Sequence, residues 1–94
     1  MSSANPPLLA AEIYVCLGYH EEFSPIFGNL KYSNALAYYK KAVHLEPNWD
    51  VANFYYAYTL RKLHRTEEAE TAFKHTLVLA GNDKNVAGPA KDAL

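Results

Sequence analysis

Apolar residues recur along the chain at helical spacing, and this pattern predicts four amphipathic helices. The spacing i, i+4, i+7, i+8 marks one face of a helix, and it occurs twice, at Ala35, Tyr39, Ala42 and Val43 and at Ala69, Phe73, Thr76 and Leu77. A third apolar stripe runs through Ala52, Tyr56, Leu60 and Leu63. We expect helices near residues 8–22, 33–46, 50–63 and 66–80, and a short last helix beginning near Pro89, a favourable first-turn residue.

The chain matches itself when it is shifted by 34 residues, so that residues 32–48 fall on residues 66–82. The matching pairs include Ala35 with Ala69, Tyr39 with Phe73, Lys40 with Lys74, Leu45 with Leu79 and Asn48 with Asn82. A small residue stands where helices must approach closely, an aromatic residue follows four positions later, and a helix breaker ends each segment, Pro47 in one and Gly81 in the other. The shift indicates an internal helical repeat.

This arrangement resembles the tetratricopeptide repeat. Tyr14 stands at the Trp position of the family motif, Leu17 and Gly18 follow as its Leu-Gly pair, and the first repeat continues with Ala35, Tyr39, Ala42 and Pro47. In the second repeat Ala57, Leu60, Ala69 and Phe73 fit the motif, whereas Asn53, Tyr56, Thr76 and Gly81 depart from it.

The resemblance implies an all-α fold, a right-handed α-solenoid of two helix-turn-helix tetratricopeptide repeats with a short C-terminal helix. Residues 1–94 would form one domain. Repeat 1 covers about 8–47 with an inserted loop at 23–31, repeat 2 covers about 48–81, and residues 82–94 are a cap or remnant.

The inserted loop is unusually apolar, because it contains Phe23, Ile26, Phe27 and Leu30 around a Ser-Pro step and a Gly-Asn pair. One interpretation is that these side chains fold back over the open end of the first helix pair, which no repeat precedes. The other is that they form a patch for a partner or for self-association. The first interpretation is favoured, since a terminal repeat needs covering.

Composition and motifs argue against several functional classes. A net charge of −1 lacks the Lys/Arg surplus of a nucleic-acid-binding protein, and no run is long and apolar enough to be a signal peptide or a membrane span. Cys16 is the only cysteine, so we expect no disulfide, a small buried side chain at this position and a cytoplasmic location. His20 begins a zincin-like fragment, but Ser24 stands where the second His is needed. We therefore expect no metal, no cofactor and no enzyme activity.

In the family, the first helix of each repeat lines a concave surface that binds peptides. The groove positions that the resemblance implies are Glu12, Val15, Tyr19 and Glu22, followed by Val51, Phe54, Tyr58, Arg61 and Lys62. Phe54 is two residues from both Ala52 and Tyr56, hence on the side of its helix away from them. The alternative is that Phe54, Tyr55 and Tyr58 pack against a helix from residues 85–94. We expect Trp49 to pack at the junction of the helix pairs; the alternative is that it is a hot spot for a bound partner.

Some family members hold a chaperone's C-terminal carboxylate with a Lys/Asn clamp. Here Val15, Tyr19 and Tyr55 occupy the clamp positions, so this ligand is disfavoured. The groove instead suits a segment with apolar anchors and an acidic residue near Arg61 and Lys62.

The sequence therefore predicts a non-catalytic protein–protein interaction module (an adaptor, scaffold or assembly factor) that binds a peptide segment in an aromatic groove. The alternative is a structural self-assembly unit whose aromatic and apolar surfaces form homo-oligomer contacts. Two repeats leave their end faces poorly covered, among them the outer face of the last helix through Ala72, Thr76 and Leu79. We therefore expect a homodimer or a longer parent chain.

Overall fold

The protein is all-helical over the part of the chain that its structure, a computed structural model, describes: residues 6–22, 30–81 and 88–91. The four helices are α1 (Pro6–Glu22), α2 (Leu30–Leu45), α3 (Asp50–Lys62) and α4 (Thr66–Ala80). A single helical turn follows at residues 88–91. The helices expected from the hydrophobic spacing are confirmed, with ends that differ by at most three residues. The turn at 88–91 agrees with the short helix expected near Pro89.

Two helical hairpins pack side by side. α1 packs mainly on α2, α3 packs mainly on α4, and α2 joins the hairpins by packing on α3. The first hairpin is antiparallel: Glu21, near the end of α1, accepts a hydrogen bond of 3.1 Å from Asn34, near the start of α2, whereas Tyr14 lies beside Lys41. The apolar loop between these helices was expected to cover the first pair. Its residues Phe23, Ile26 and Phe27, and the side chain of Leu30, lie outside the described residues.

Local sequence signals explain where α3 begins. The Asp50 carboxylate accepts a 2.8 Å hydrogen bond from the Val51 amide, and its charge suits the N-terminal end of a helix. The Asn53 side chain donates to the carbonyl oxygens of Pro47 and Trp49, at 3.0 and 2.8 Å. These bonds fix the turn between α2 and α3, and Trp49 packs half-buried on the first core cluster, at the junction expected for it.

A three-residue turn joins α3 to α4. The Arg65 amide donates to the Leu60 carbonyl and the His64 amide donates to the Arg61 carbonyl, both at 3.0 Å. This pair of bonds is the Schellman motif, whose penultimate residue takes a left-handed conformation. His64 fills that position with φ 63°, where Gly would be unstrained.

Over the described residues, the core consists of two clusters that are rich in small and aromatic side chains. The first contains Ala11, Val15, Ala35, Tyr39, Ala42 and Ala52, and the second contains Ala57, Leu60, Ala69, Phe73 and Ala90. The apolar stripes predicted for α2, α3 and α4 supply most of both clusters, which confirms those stripes. Thr76 is also fully buried and donates a 2.8 Å hydrogen bond to the Ala72 carbonyl. The expectation that Thr76 lies on an uncovered outer face is therefore wrong.

α1 is rotated about its axis relative to the sequence expectation. Its buried stripe is Ala11, Val15, Gly18 and Glu22. Cys16 is one residue, or about 100°, past Val15, so it is exposed, and the expectation of a buried Cys16 is wrong. Leu17, placed at the Leu position of the repeat motif, is 39% exposed for the same reason.

Gly18 sets this rotation. An added Cβ at Gly18 would lie 2.6 Å from Cε1 of Tyr39, closer than carbon atoms can approach. The Tyr39 ring is fully buried and stacks on Tyr55 with centroids 5.4 Å apart, so it has no space into which to withdraw. Only glycine lets α1 approach α2 this closely.

Overpacking a core costs about 1–3 kcal/mol, and Ala gains roughly 1 kcal/mol over Gly inside a helix. We therefore expect Gly18→Ala to lower the free energy of unfolding by up to about 2 kcal/mol. Urea denaturation followed by circular dichroism measures the difference. Gly88→Ala is the matched control, since a Cβ there meets nothing within 4 Å. If the two variants unfold at the same midpoint, the close approach does not constrain the fold.

Candidate functional site

Four aromatic side chains of α1 and α3 form a connected surface, called here the aromatic surface: Tyr19, Phe54, Tyr55 and Tyr58. The Tyr19 ring meets the Tyr55 ring edge-on at 6.1 Å between centroids. Tyr55 continues to Phe54 at 5.9 Å, and Phe54 to Tyr58 at 6.1 Å. Tyr19 is 49% exposed and the other three rings are half-buried. Such rings combine a covered apolar body with an accessible edge, which suits recognition of another molecule.

Cations mark one end of the aromatic surface. The Lys62 ammonium lies 5.1 Å from the centroid of the Tyr58 ring, within cation–π range, and both Arg61 and Lys62 are exposed. Both residues are in the last turn of α3, where the helix dipole stabilises positive charge. This end therefore offers positive charge beside an aromatic ring.

The structure brings together only part of the groove expected from the sequence. Tyr19, Phe54, Tyr58, Arg61 and Lys62 lie on the aromatic surface or at its cationic end. Val51 is half-buried and Glu12 is exposed.

Val15 and Glu22, in contrast, are buried on the α1 stripe that faces the core, so neither presents a surface to a ligand. The physical reason is the rotation of α1 set by Gly18, which turns positions 15 and 22 inward.

Phe54 was expected on the side of α3 away from the core, and this is wrong. Its ring lies 6.0 Å from that of Phe73, and both Phe54 and Tyr58 pack on the second cluster, which includes Ala90. The alternative, in which Phe54, Tyr55 and Tyr58 pack against a helix from residues 85–94, stays a prediction: Ala90 belongs to the same cluster as Phe73, but Tyr55 packs on the first cluster. Helix α3 contributes residues to both core clusters, so a side chain that points away from one cluster can still pack on the other.

Tyr55 was not among the groove positions expected from the sequence, although it occupies a clamp position of the family. It stacks on the buried Tyr39 and also touches Tyr19 and Phe54, so it links the core to the exposed part of the surface. The run Phe54-Tyr55-Tyr56 gives every side of α3 an aromatic residue. Periodicity cannot choose among three such neighbours. Only the position of Tyr39 in space identifies Tyr55 as the centre.

A buried polar contact lies under the aromatic surface, where α1, α2 and α3 meet. Glu22 is 8% exposed, and its Oε1 accepts a hydrogen bond from the Tyr39 hydroxyl at 3.5 Å. The same oxygen lies 3.3 Å from the Thr59 hydroxyl, which also donates to the Tyr55 carbonyl at 2.8 Å. With Glu22 ionised, the single Thr59 proton is shared between two acceptors. With Glu22 protonated, Thr59 can donate to Tyr55 and accept from Glu22.

Burial raises the pKa of the Glu22 carboxyl above its ordinary value of 4.5. Hydrogen bonds from Thr59 and Tyr39, and then the charges of Lys62 and Lys31, favour the ionised form but do not cancel the cost of desolvation. Burial, with the nearby Glu22 charge next, likewise raises the pKa of Tyr39 far above that of a free tyrosine. Tyr39 therefore keeps its hydroxyl proton at neutral pH and donates it in a hydrogen bond to Glu22.

Comparisons with known proteins add no relative: no protein-family model, no curated protein and no solved structure matches the chain. Within residues 6–22, 30–81 and 88–91, no helix is long and apolar enough to cross a membrane. Among the same residues, no three His, Cys, Asp or Glu side chains are grouped so that they could hold a metal ion.

The raised pKa of Glu22 predicts a specific pH dependence of stability. A carboxyl whose pKa is higher folded than unfolded contributes stability that is fully present below about pH 4.5 and is lost as the pH rises through the folded pKa. Glu22→Gln removes this titration. We expect the unfolding free energy of the unsubstituted protein, relative to that of Glu22→Gln, to fall as the pH rises from 4.5, and urea denaturation at a series of pH values measures it.

Glu12→Gln, an exposed change on the same helix, is the control. A stability difference between Glu22→Gln and the unsubstituted protein that does not vary with pH would contradict the prediction. So would a Glu22→Gln variant that loses stability, relative to the unsubstituted protein, as the pH rises.

Proposed function

We propose that this chain is a non-catalytic protein–protein interaction module, built as a right-handed α-solenoid of two tetratricopeptide-like repeats. One observation carries the proposal: positions that match in sequence at an offset of 34 residues are also matched in burial. The buried pairs are Ala35 with Ala69, Tyr39 with Phe73, and Ala42 with Thr76. The first member of each pair is on α2 and the second is on α4, the second helices of the two hairpins. The turn at 88–91 adds support, because Ala90 joins the second cluster as Ala52 joins the first. A repeated unit of this kind presents extended surfaces for recognition.

The aromatic surface is the binding site in this proposal. Tyr19 and the half-buried rings beside it provide apolar contact area with little side-chain entropy to lose, and aromatic residues are enriched in energetically important contacts. Arg61 and Lys62 would meet an acidic residue of the bound segment. The ligand that fits is thus a peptide segment with one or two apolar anchors and a carboxylate at one end.

A second candidate function, a self-assembly unit, is favoured by a different observation. Leu9, Ile13 and Leu17 recur every fourth residue along α1 and are 50%, 53% and 39% exposed. Side chains at this spacing form a ridge of the kind that packs into the groove of another helix. A homodimer formed through this ridge would account for it, as would a further helix of a longer parent chain.

Paired variants distinguish the two functions. Tyr19→Ala with Lys62→Gln alters exposed parts of the aromatic surface, and Ile13→Ser alters the α1 ridge. Val78→Ser is the control, because Val78 is 79% exposed and belongs to neither surface. Each protein is used as bait in an extract of its native cell, and each is sized by light scattering at micromolar and sub-micromolar concentrations.

If the chain is an adaptor, the Tyr19→Ala/Lys62→Gln variant binds the retained protein at least about tenfold more weakly. This affinity is measured with the retained protein in purified form. The oligomeric size of the variant does not change. If the chain is an assembly unit, Ile13→Ser shifts an oligomer to monomer and the aromatic variant does not. A protein that is monomeric at both concentrations and retains nothing would overturn both candidates.

A further inference from the structure

The first hairpin contains a groove whose lining is apolar on its floor and cationic on its rim. It is a hollow of about 510 Å³ between α1 and α2, called here the basic groove, and it is lined by Tyr14, Ala37, Lys40, Lys41, His44 and Leu45. None of these residues belongs to the aromatic surface. The groove is therefore separate from the site proposed above.

The floor of the basic groove is held in place by ring contacts. The half-buried Tyr14 ring stacks on Tyr38 with centroids 6.3 Å apart and an angle of 27° between the planes. The Lys41 ammonium lies 5.5 Å from the centroid of the Tyr14 ring. A floor fixed in this way offers a preformed apolar contact to an incoming side chain.

The rim cations are not used in ion pairs within the described part of the chain. Arg65 and Lys74 are paired, with Glu68 at 2.7 Å and Glu70 at 3.5 Å. No such contact with a described carboxylate occurs for Lys40, Lys41 or His44. A neighbouring hollow of about 420 Å³ shares Ala37 and Lys41 and includes Glu21, but that carboxylate accepts a hydrogen bond from Asn34. Among the described residues, the basic groove thus has three positive or ionisable side chains on its rim and no carboxylate in its lining.

The second hairpin has a hollow of about 460 Å³, lined by Asn53, Tyr56, Leu60, Glu67, Glu68, Thr71, Ala72 and His75. At the 34-residue offset its residues Glu68, Thr71, Ala72 and His75 correspond to Asn34, Ala37, Tyr38 and Lys41, which line the neighbouring hollow that includes Glu21. That neighbour is therefore the repeat equivalent of the second hairpin's hollow. The basic groove shares only Ala37 and Lys41 with it.

We propose that the basic groove binds an acidic protein segment, one in which Asp or Glu residues flank an apolar side chain. The apolar side chain would rest on Tyr14, Ala37 and Leu45, and the carboxylates would meet Lys40, Lys41 and His44. Charge complementarity selects this occupant. The apolar floor and the net charge of −1 disfavour a nucleic acid, which needs a broad basic surface.

The probe is a pool of fluorescent synthetic peptides with Asp or Glu on both sides of a Leu, Ile or Phe. A matched pool carries Asn and Gln at the acidic positions. We expect the acidic pool to bind more tightly and the binding to weaken with added salt, as measured by fluorescence polarisation. Amide resonances of Ala37, Lys40 and His44 should shift in ¹⁵N-edited spectra of the Tyr19→Ala/Lys62→Gln variant, whose aromatic surface is weakened and no longer competes for the peptides.

Lys40→Gln with Lys41→Gln should reduce affinity for the acidic pool about tenfold, the effect of losing two exposed charge contacts. Lys74→Gln is the matched control, because Lys74 is the exposed repeat equivalent of Lys40 and lies outside the groove. The affinity of this variant for the acidic pool should equal that of the unsubstituted protein. Circular dichroism checks that all variants remain helical.

Four outcomes would overturn the proposal: equal binding of the two peptide pools, no binding of either, equal loss in Lys74→Gln, or resonance shifts confined to the aromatic surface. Tighter binding of single-stranded RNA than of the acidic peptides at the same salt concentration would overturn it too. A salt-sensitive complex that the paired lysine change weakens, and that maps to the groove, would support it.

Discussion

The contact between the Tyr39 ring and the backbone of α1 at Gly18 is the constraint on which the rest of the structure depends. The ring is fully buried, and it touches all three helices that meet around it: Gly18 on α1, its own α2, and Tyr55 on α3. Because the close approach is possible only at glycine, this contact fixes the position of α1 along the axis of α2 and the rotation of α1 about its own axis. That rotation turns Val15 and Glu22 inward, and it leaves the opposite face of α1 exposed. One small residue thus decides which face of a helix is core and which is surface.

Much of the fold could be predicted from the sequence, and less of the candidate site. The helix bounds follow from spacing and breakers, and the buried positions of α2 and α4, such as Tyr39 and Phe73, follow from the 34-residue match. The face of α1 could not be predicted, because α1 is apolar nearly all round and only the Gly18 contact chooses a side. Helix α3 presents a related difficulty. It is covered on two sides, so its run of aromatic residues gives no periodic signal, and the central role of Tyr55 emerges only in three dimensions.

The buried Glu22 links the core to the aromatic surface. Its partners Tyr39 and Thr59 bring α2 and α3 to the end of α1, and Thr59 in turn bonds the carbonyl of Tyr55. When it is ionised, a carboxyl at this point contributes less to stability than an apolar side chain of the same volume would. Its bonds do, however, specify how the three helices are aligned. The same alignment sets the edge-on approach of Tyr19 and Tyr55, so the polar contact and the candidate site share one geometry.

The turn at His64 also bears on how the chain reaches this structure. Backbone hydrogen bonds close the α3–α4 connection over three residues, whereas residues 23–29 separate α1 from α2. Closing a short loop loses less chain entropy than closing a longer one, and contacts between near neighbours in sequence form faster. The second hairpin is thus the part of the chain best suited to nucleate folding. The first hairpin, with its glycine contact and its buried carboxyl, would then assemble on a surface that α3 already presents.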